Sequence, residues 1–190
     1  MAKPGHNKRD DLIAAALQLF ADKGIRGTTV REIAAAAGVT EGALYRHFES
    51  KEQLAQSLFA ECARRLYEHL DSVVATAASS RERLCALSQG FLRFAEEQPQ
   101  AYEYVMARHH DDVGGLPPDQ PLPKEVFVRV MEQGMAAGEI RRMDPNLAAG
   151  MMIGMCLRTV FFLQRGMIQA ERDEVSREVC GVLQRAFLTE

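Results

Sequence analysis

Apolar residues along this chain recur at helical spacing almost from end to end. Ile13, Ala16, Leu17 and Phe20 form a first stripe. Its helix is expected to start near Asn7, with Asp10 and Asp11 in the first turn, where carboxylates suit the positive end of the helix dipole. Gly24 ends it. Thr29-Val30-Arg31-Glu32 has the form of a capping box, in which threonine and glutamate each satisfy an exposed backbone N–H. Val30, Ile33, Ala34 and Ala37 then share a face, and Gly38 is the stop. A short third helix follows from Thr40, with Val39 and Leu44 related as a hydrophobic staple across its start. Ser50-Lys51-Glu52-Gln53 is a second capping box. It opens a long helix carried by Leu54, Leu58, Cys62, Leu66 and Leu70.

The later pattern predicts helices over Arg81–Glu97, Pro99–His109 and Lys124–Ala137, the last followed by Gly138. Asp111–Pro123 holds four prolines and two glycines and is expected to be a loop. Asp144-Pro145 is a cap followed by proline at the first helical position, and that helix should reach about Arg165. A last helix from about Arg172 places Val175, Val179, Val182, Leu183 and Ala186 on one side. No strand pattern is convincing. The fold expected is all-α, with about nine helices.

Charge refines this picture. The net charge of −3 does not suggest a nucleic-acid partner, but residues 1–51 carry eight Lys/Arg and six Asp/Glu while the rest carries fifteen and twenty. A basic head on an acidic body follows. Met1–Arg9 reads as a polar arm in which Lys3, Lys8 and Arg9 would follow a phosphate backbone or simply aid solubility; no signal peptide is evident there. The four cysteines, Cys62, Cys85, Cys156 and Cys180, are far apart and make no CxxC pair. They are expected as buried thiols in a reducing compartment, a redox sensor being the lesser alternative. Leu147–Leu163 is apolar but only seventeen residues long with Arg158 inside it. That is shorter than the about 20 apolar residues a membrane span needs, so no membrane is expected.

Two short helices joined at Gly38-Val39 make a helix-turn-helix. At about 100° per residue, Leu44 and Phe48 turn inward, Gly42 and Arg46 turn directly outward, and Ala43 and Tyr45 flank them. A surface of Gly42 and Ala43 lets a helix backbone approach base edges closely. The Arg46 guanidinium matches the two acceptors of guanine. Thr40, Tyr45 and His47 are placed to hold phosphates, and Lys51 would add charge at a helix start. The alternative makes Tyr45 and His47 ordinary packing residues at the rim of a small helical domain.

The stretches Gly24–Ala34, Gly38-Val39-Thr40, Gly42–Phe48 and Lys51-Glu52, in that order and spacing, resemble the N-terminal signature of the TetR family of bacterial regulators over roughly residues 10–60. The resemblance implies a nine-helix homodimer whose first three helices bind a palindromic operator in double-stranded DNA. It also implies a C-terminal ligand domain and a four-helix dimer interface from the last two helices. On this reading residues 1–49 are the DNA-binding domain and 50–190 the ligand-binding and dimerisation domain. Phosphate contacts carry over to Thr29, Tyr45, His47 and Lys51, and base contacts to Thr40–Ala43 and Arg46. Glu41 departs from the family's usual basic or neutral residue, and its role stays open.

Beyond residue 60 the sequence offers composition and not motif. Gly150 and Gly154, at i and i+4, permit close helix approach; with Leu147, Met151, Leu157 and Phe161, beside Val179 and Leu183 of the last helix, they form a candidate dimer seam. Phe91, Phe94, Tyr102, Met106, Phe127, Met131, Met135, Met152 and Met155 are candidate pocket residues, methionine suiting varied apolar ligands, though pockets and cores share residue types. Arg158 either pairs with a carboxylate, the reading favoured, or meets an anionic ligand. His109-His110-Asp111-Asp112 reads as a solvated helix end, and neither a metal nor a cofactor is expected.

The expectation is a cytoplasmic bacterial transcription regulator, a repressor released from its operator by a small, largely apolar effector. A helical protein–protein adaptor and a TetR-like activator are the alternatives. No catalytic arrangement suggests an enzyme.

Overall fold

A computed structural model describes residues 8–107 and 119–189. The expectations for the arm before Lys8, for His109–Asp112 and for most of the proline-rich loop lie outside these residues. Among them are nine helices: α1 (Lys8–Lys23), α2 (Val30–Ala36), α3 (Glu41–Tyr45), α4 (Lys51–Ala75), α5 (Ser80–Glu97), α6 (Pro99–Ala107), α7 (Pro123–Ala136), α8 (Pro145–Gln164) and α9 (Arg172–Phe187). The all-α class is as expected; the one extended pairing among the described residues is an isolated bridge between Ile140 and Leu188.

The chain packs as two compact units. One takes the described residues up to Ala63 and those of Pro99–Gln120; the other takes Arg64–Gln98 and the described residues from Pro121 onward. By packing, the division thus falls inside α4 and returns α6 to the first unit, whereas the expected functional boundary stood at residue 49/50.

In the first unit α1 packs on α2 and α6, and α2 packs on α3. The inward stripe of α1 is Leu12, Ala16 and Phe20. Ile13 and Leu17 are only half-buried, so the expected stripe is rotated by about one position. Phe20 stacks on Tyr104 of α6 at 6.0 Å, and the Tyr104 hydroxyl donates to Ala55 O at 3.0 Å. A buried phenol that keeps its hydrogen bond fixes α6 against α4 without a desolvation penalty.

In the second unit α5 lies against α7, α8 and α9, and α7 also packs on α8. Phe91 meets Phe127 edge-on at 6.1 Å, with Phe94, Leu84 and Met131 buried around them. The carboxylate of Glu139 accepts from Ser80 N at 2.7 Å at the start of α5, and the Ser80 hydroxyl together with this backbone bond holds its carboxyl below the usual range. Ile140 follows, pinned where Arg141 N donates to Phe187 O and Thr189 N to Glu139 O.

The cysteines correct an expectation. Cys85 of α5 and Cys180 of α9 are joined by a disulfide, their Cα atoms 4.9 Å apart, while Cys62 and Cys156 are buried thiols. Ninety-five residues separate the pair in sequence. Only the antiparallel meeting of α5 and α9 brings them together, and nothing local signals it.

α8 ends at Gln164, close to the expected Arg165. At 20 residues it is long and apolar enough by composition to cross a membrane, and only 28% of its most apolar stretch is buried within this chain.

Gly134 of α7 is required by close approach: a Cβ there would stand 2.4 Å from Ile140 Cδ1 and 2.9 Å from Ser80 Oγ. Because Ile140 is held on its backbone side, Gly134→Ala is expected to cost about 1–3 kcal/mol and lower Tm by about 3–10 °C in a thermal melt.

Candidate functional site

The helix-turn-helix is assembled by caps and one glycine. Thr29 caps α2: its hydroxyl accepts from Glu32 N at 3.2 Å, and Glu32 Oε2 accepts from Thr29 N at 2.8 Å. Lys23 Nζ adds a contact to Glu32 at 2.8 Å. The lysine and the two threonine donors together hold the Glu32 carboxyl down to about 2. Gly38 turns the chain at φ 66°, a left-handed conformation that a side chain disfavours, and Val39 N then donates to Ala34 O at 2.9 Å. Thr40 caps α3 by accepting from Ala43 N at 3.2 Å. Ser50 accepts from Gln53 N at 3.1 Å; in return Gln53 Oε1 accepts from Glu49 N, one residue earlier than the box form expects.

Burial orients α3. Leu44 is fully buried and Phe48 is 3% exposed, with the Arg9 guanidinium 5.6 Å over the Phe48 ring. Glu41, Gly42, Tyr45, Arg46 and His47 are exposed, Tyr45 at 53%, and Ala43 is half-buried at the flank. Thr29 and Thr40 also reach the surface, although both hydroxyls are engaged in capping.

Lys51 is placed differently from a side chain extended toward solvent. Its ammonium donates to Ile25 O at 2.8 Å and Thr28 O at 2.9 Å, bracketing the start of α4 to the α1–α2 turn. Thr28, which sequence reasoning passed over, is buried in that turn and donates to Gly24 O at 2.8 Å. An unremarkable threonine beside the capping threonine carries no sequence signal of this role.

The candidate pocket residues are divided. Tyr102 and Met106 lie on α6 in the first unit. Phe91, Phe94, Phe127, Met131 and Met152 are buried core of the second, and Met135 and Met155 are half-buried there. The grooves described in the second unit are lined by other residues: Leu92, Ala95, Glu96, Val160, Leu163, Gln164 and Arg172 in one of about 220 Å³, crossed by an ion pair between Arg172 and Glu96. Arg158 is exposed, its guanidinium 5.2 Å over the Phe161 ring, and among the described residues no carboxylate pairs with it. Among the described residues no cluster of three or more potential metal ligands occurs.

The candidate seam separates by burial. Leu147 (52% exposed), Met151 (49%) and Phe161 (39%) are outward, Leu157 is half-buried, and a Cβ on Gly150 or Gly154 would meet nothing within 4 Å. Val179 and Leu183 are buried within the chain, so they are not surface residues of α9. Val182 is what α9 exposes, and Phe162 and Met167 extend the outward apolar set.

A helix-turn-helix whose second helix is anchored by two apolar residues and presents arginine, histidine, tyrosine and glycine outward defines a DNA-binding transcription regulator. The family described as bacterial regulatory proteins, tetR family, matches residues 12–58. A transcriptional repressor, KstR2 of Rhodococcus jostii RHA1, is 32% identical over 151 residues, covering 74% of this chain and 72% of its own. A TetR family transcription regulator from Marinobacter aquaeolei VT8 superposes with a TM-score of 0.80 at 21% identity, covering 96% of each chain. AibR, solved with isovaleryl coenzyme A and operator DNA, superposes with a TM-score of 0.72 at 22% identity over 93% of this chain and 98% of its own. The chain belongs to the TetR family of bacterial regulators.

Lys51→Met removes two hydrogen bonds from turn carbonyls and is expected to cost about 1–2 kcal/mol, a fall in Tm of about 2–8 °C in a thermal melt. An unchanged Tm would show that the bracket adds nothing to the unit.

Proposed function

We propose that this regulator is a repressor that binds a palindromic operator as a homodimer and is released by a small, largely apolar effector. The observation that carries the DNA reading is the emptiness around Gly42. A Cβ there would find only Thr40 Oγ1, at 4.0 Å, so nothing inside the chain requires a glycine. The need lies outside, where a helix backbone meets base edges in a major groove. Arg46 is assigned to guanine readout, and Tyr45, His47, Thr29 and Thr40 to positioning on phosphates. Lys51, with two of its three hydrogens engaged, reaches phosphate with the third at most.

The exposed stripe of α8 supports the homodimer, since an apolar patch of this kind on a soluble chain calls for a partner. The effector rests on the family and on what its relatives bind, as with the acyl coenzyme A ligand of AibR. α4 contributes to both units. An effector held in the second unit would act through it, provided that it binds the operator-incompetent state better than the competent one.

Operator selection from random duplex DNA is the test. A palindrome should be enriched at moderate salt, and affinity should fall steeply as salt rises. Gly42→Ala should leave Tm unchanged or slightly raised, yet weaken binding by about tenfold or more; Arg46→Ala should cost about 1–3 kcal/mol and relax one position of the site. No enrichment by a folded dimer would favour the adaptor reading.

Met151→Glu sets a charge on the α8 stripe without touching the core. Sedimentation should show a folded monomer, with helical content unchanged, in place of the dimer. A variant that stays dimeric would move the interface elsewhere.

A further inference from the structure

We propose that Cys85 and Cys180 form a reversible redox site, a dithiol that a hydroperoxide oxidises to the disulfide and a thiol reductant restores. The inference is independent of how the chain binds DNA. Their Cα separation of 4.9 Å lies within the range that a disulfide spans, so α5 and α9 need not move apart or together for the bond to form or break.

What distinguishes the pair from two adjacent buried thiols is its surroundings. Gln184 Nε2 donates to Cys85 Sγ at 3.0 Å and to Cys180 Sγ at 3.3 Å. Arg81 Nη1 donates to Gln184 Oε1 at 2.7 Å, which turns the amino end of the carboxamide toward the sulfurs. An amide donor backed by a guanidinium stabilises a thiolate far more than a thiol, and the thiolate is the nucleophile. Both cysteines are half-buried, and an open groove of about 340 Å³ runs beside them, lined by Arg81, Gly181, Gln184, Arg185, Leu188 and Thr189. Cys156 is the contrast: it has no such donor, and burial pushes its thiol up to about 12.

Cys85 takes the shorter amide contact and lies one helical turn beyond Arg81, which makes it the attacking sulfur. Its thiolate attacks the terminal hydroperoxide oxygen, the O–O bond breaks, and the departing alkoxide takes up a proton to leave as alcohol. Cys180 then attacks the resulting sulfenic sulfur, the S–S bond forms, and hydroxide leaves as water with the proton Cys180 gave up. In sum, two thiols and one hydroperoxide give a disulfide, an alcohol and water. Two equivalents of an external thiol reverse the oxidation, becoming a disulfide themselves. Oxidation staples α9 to α5 across 95 residues of chain.

The test uses the full chain, reduced with dithiothreitol, desalted and titrated with hydrogen peroxide. Thiols counted after denaturation should fall from four to two. Peptide mapping should find Cys85 joined to Cys180 within one chain, and dithiothreitol should restore all four thiols. The oxidised chain should melt about 5–12 °C above the reduced one. Gln184→Leu, which removes the donor and keeps both sulfurs, should slow oxidation by about tenfold. Cys85→Ser should keep its three thiols at the same peroxide dose. Thiols that remain at four, a cross-link between other cysteines or between chains, or a Gln184→Leu chain oxidised at the wild-type rate would overturn the proposal.

Discussion

Everything proposed for the reading head depends on the burial of Leu44. A helix of five residues cannot sustain itself in water, because nucleation costs more than one turn of hydrogen bonds returns. α3 persists because Leu44 is fully inside the first unit and Phe48 closes the following turn. The Gly38 turn and the Thr40 cap that follows it fix where the helix begins. Two inward residues four apart leave only one way for the rest of α3 to face, and that consequence exposes Gly42, Tyr45, Arg46 and His47 together. Recognition chemistry on so short an element is a by-product of core packing beneath it.

The same core explains the rigidity expected around α3. The turn before α2 is held by Thr28 from within and by Lys51 from the start of α4. Thr29 and Glu32 then close the first turn of α2. The two Lys51 bonds tie α4 to the α1–α2 turn through backbone carbonyls, and so they are indifferent to which side chains Ile25 and Thr28 carry. A lysine used this way trades part of its reach toward phosphate for a defined entry angle of α4.

How much of this was legible depended on the range of the interaction. Caps are local, and Thr29, Thr40 and Asp144 stand where their spacing to the next residues put them. The outward and inward faces of α3 followed from one pair of apolar residues. The stripe of α1 was misplaced by one residue because Leu12, Ile13, Ala16 and Leu17 all suit it by hydrophobicity, and only contact with α2 and α6 selects Leu12. The Cys85–Cys180 pair and the Lys51 bracket were invisible for the opposite reason: they join residues 95 and more than 20 positions apart. Pocket residues are unreadable in principle, since phenylalanine and methionine line cores and cavities alike, and the burial of Phe91, Phe127 and Met131 suits either role.

α8 shows why composition alone misleads about a helix. It is apolar on both sides, a pattern that fits a bilayer, a deep core or a seam between subunits. Its inward side is built around Ala148, Ala149, Met152, Cys156 and Val160, which lets α5 and α7 approach closely. Its outward side, with Leu147, Met151 and Phe161, also carries Arg158, whose guanidinium lies on the Phe161 ring. Arg165 reaches the same ring at 5.3 Å. A cation in the middle of a helix facing lipid would be costly, whereas at a protein seam it packs its stem on an aromatic face and keeps its head near water. The arginines therefore favour a covering second protein surface over a membrane. The open space at Gly150 and Gly154 would give the proposed second subunit room to come close.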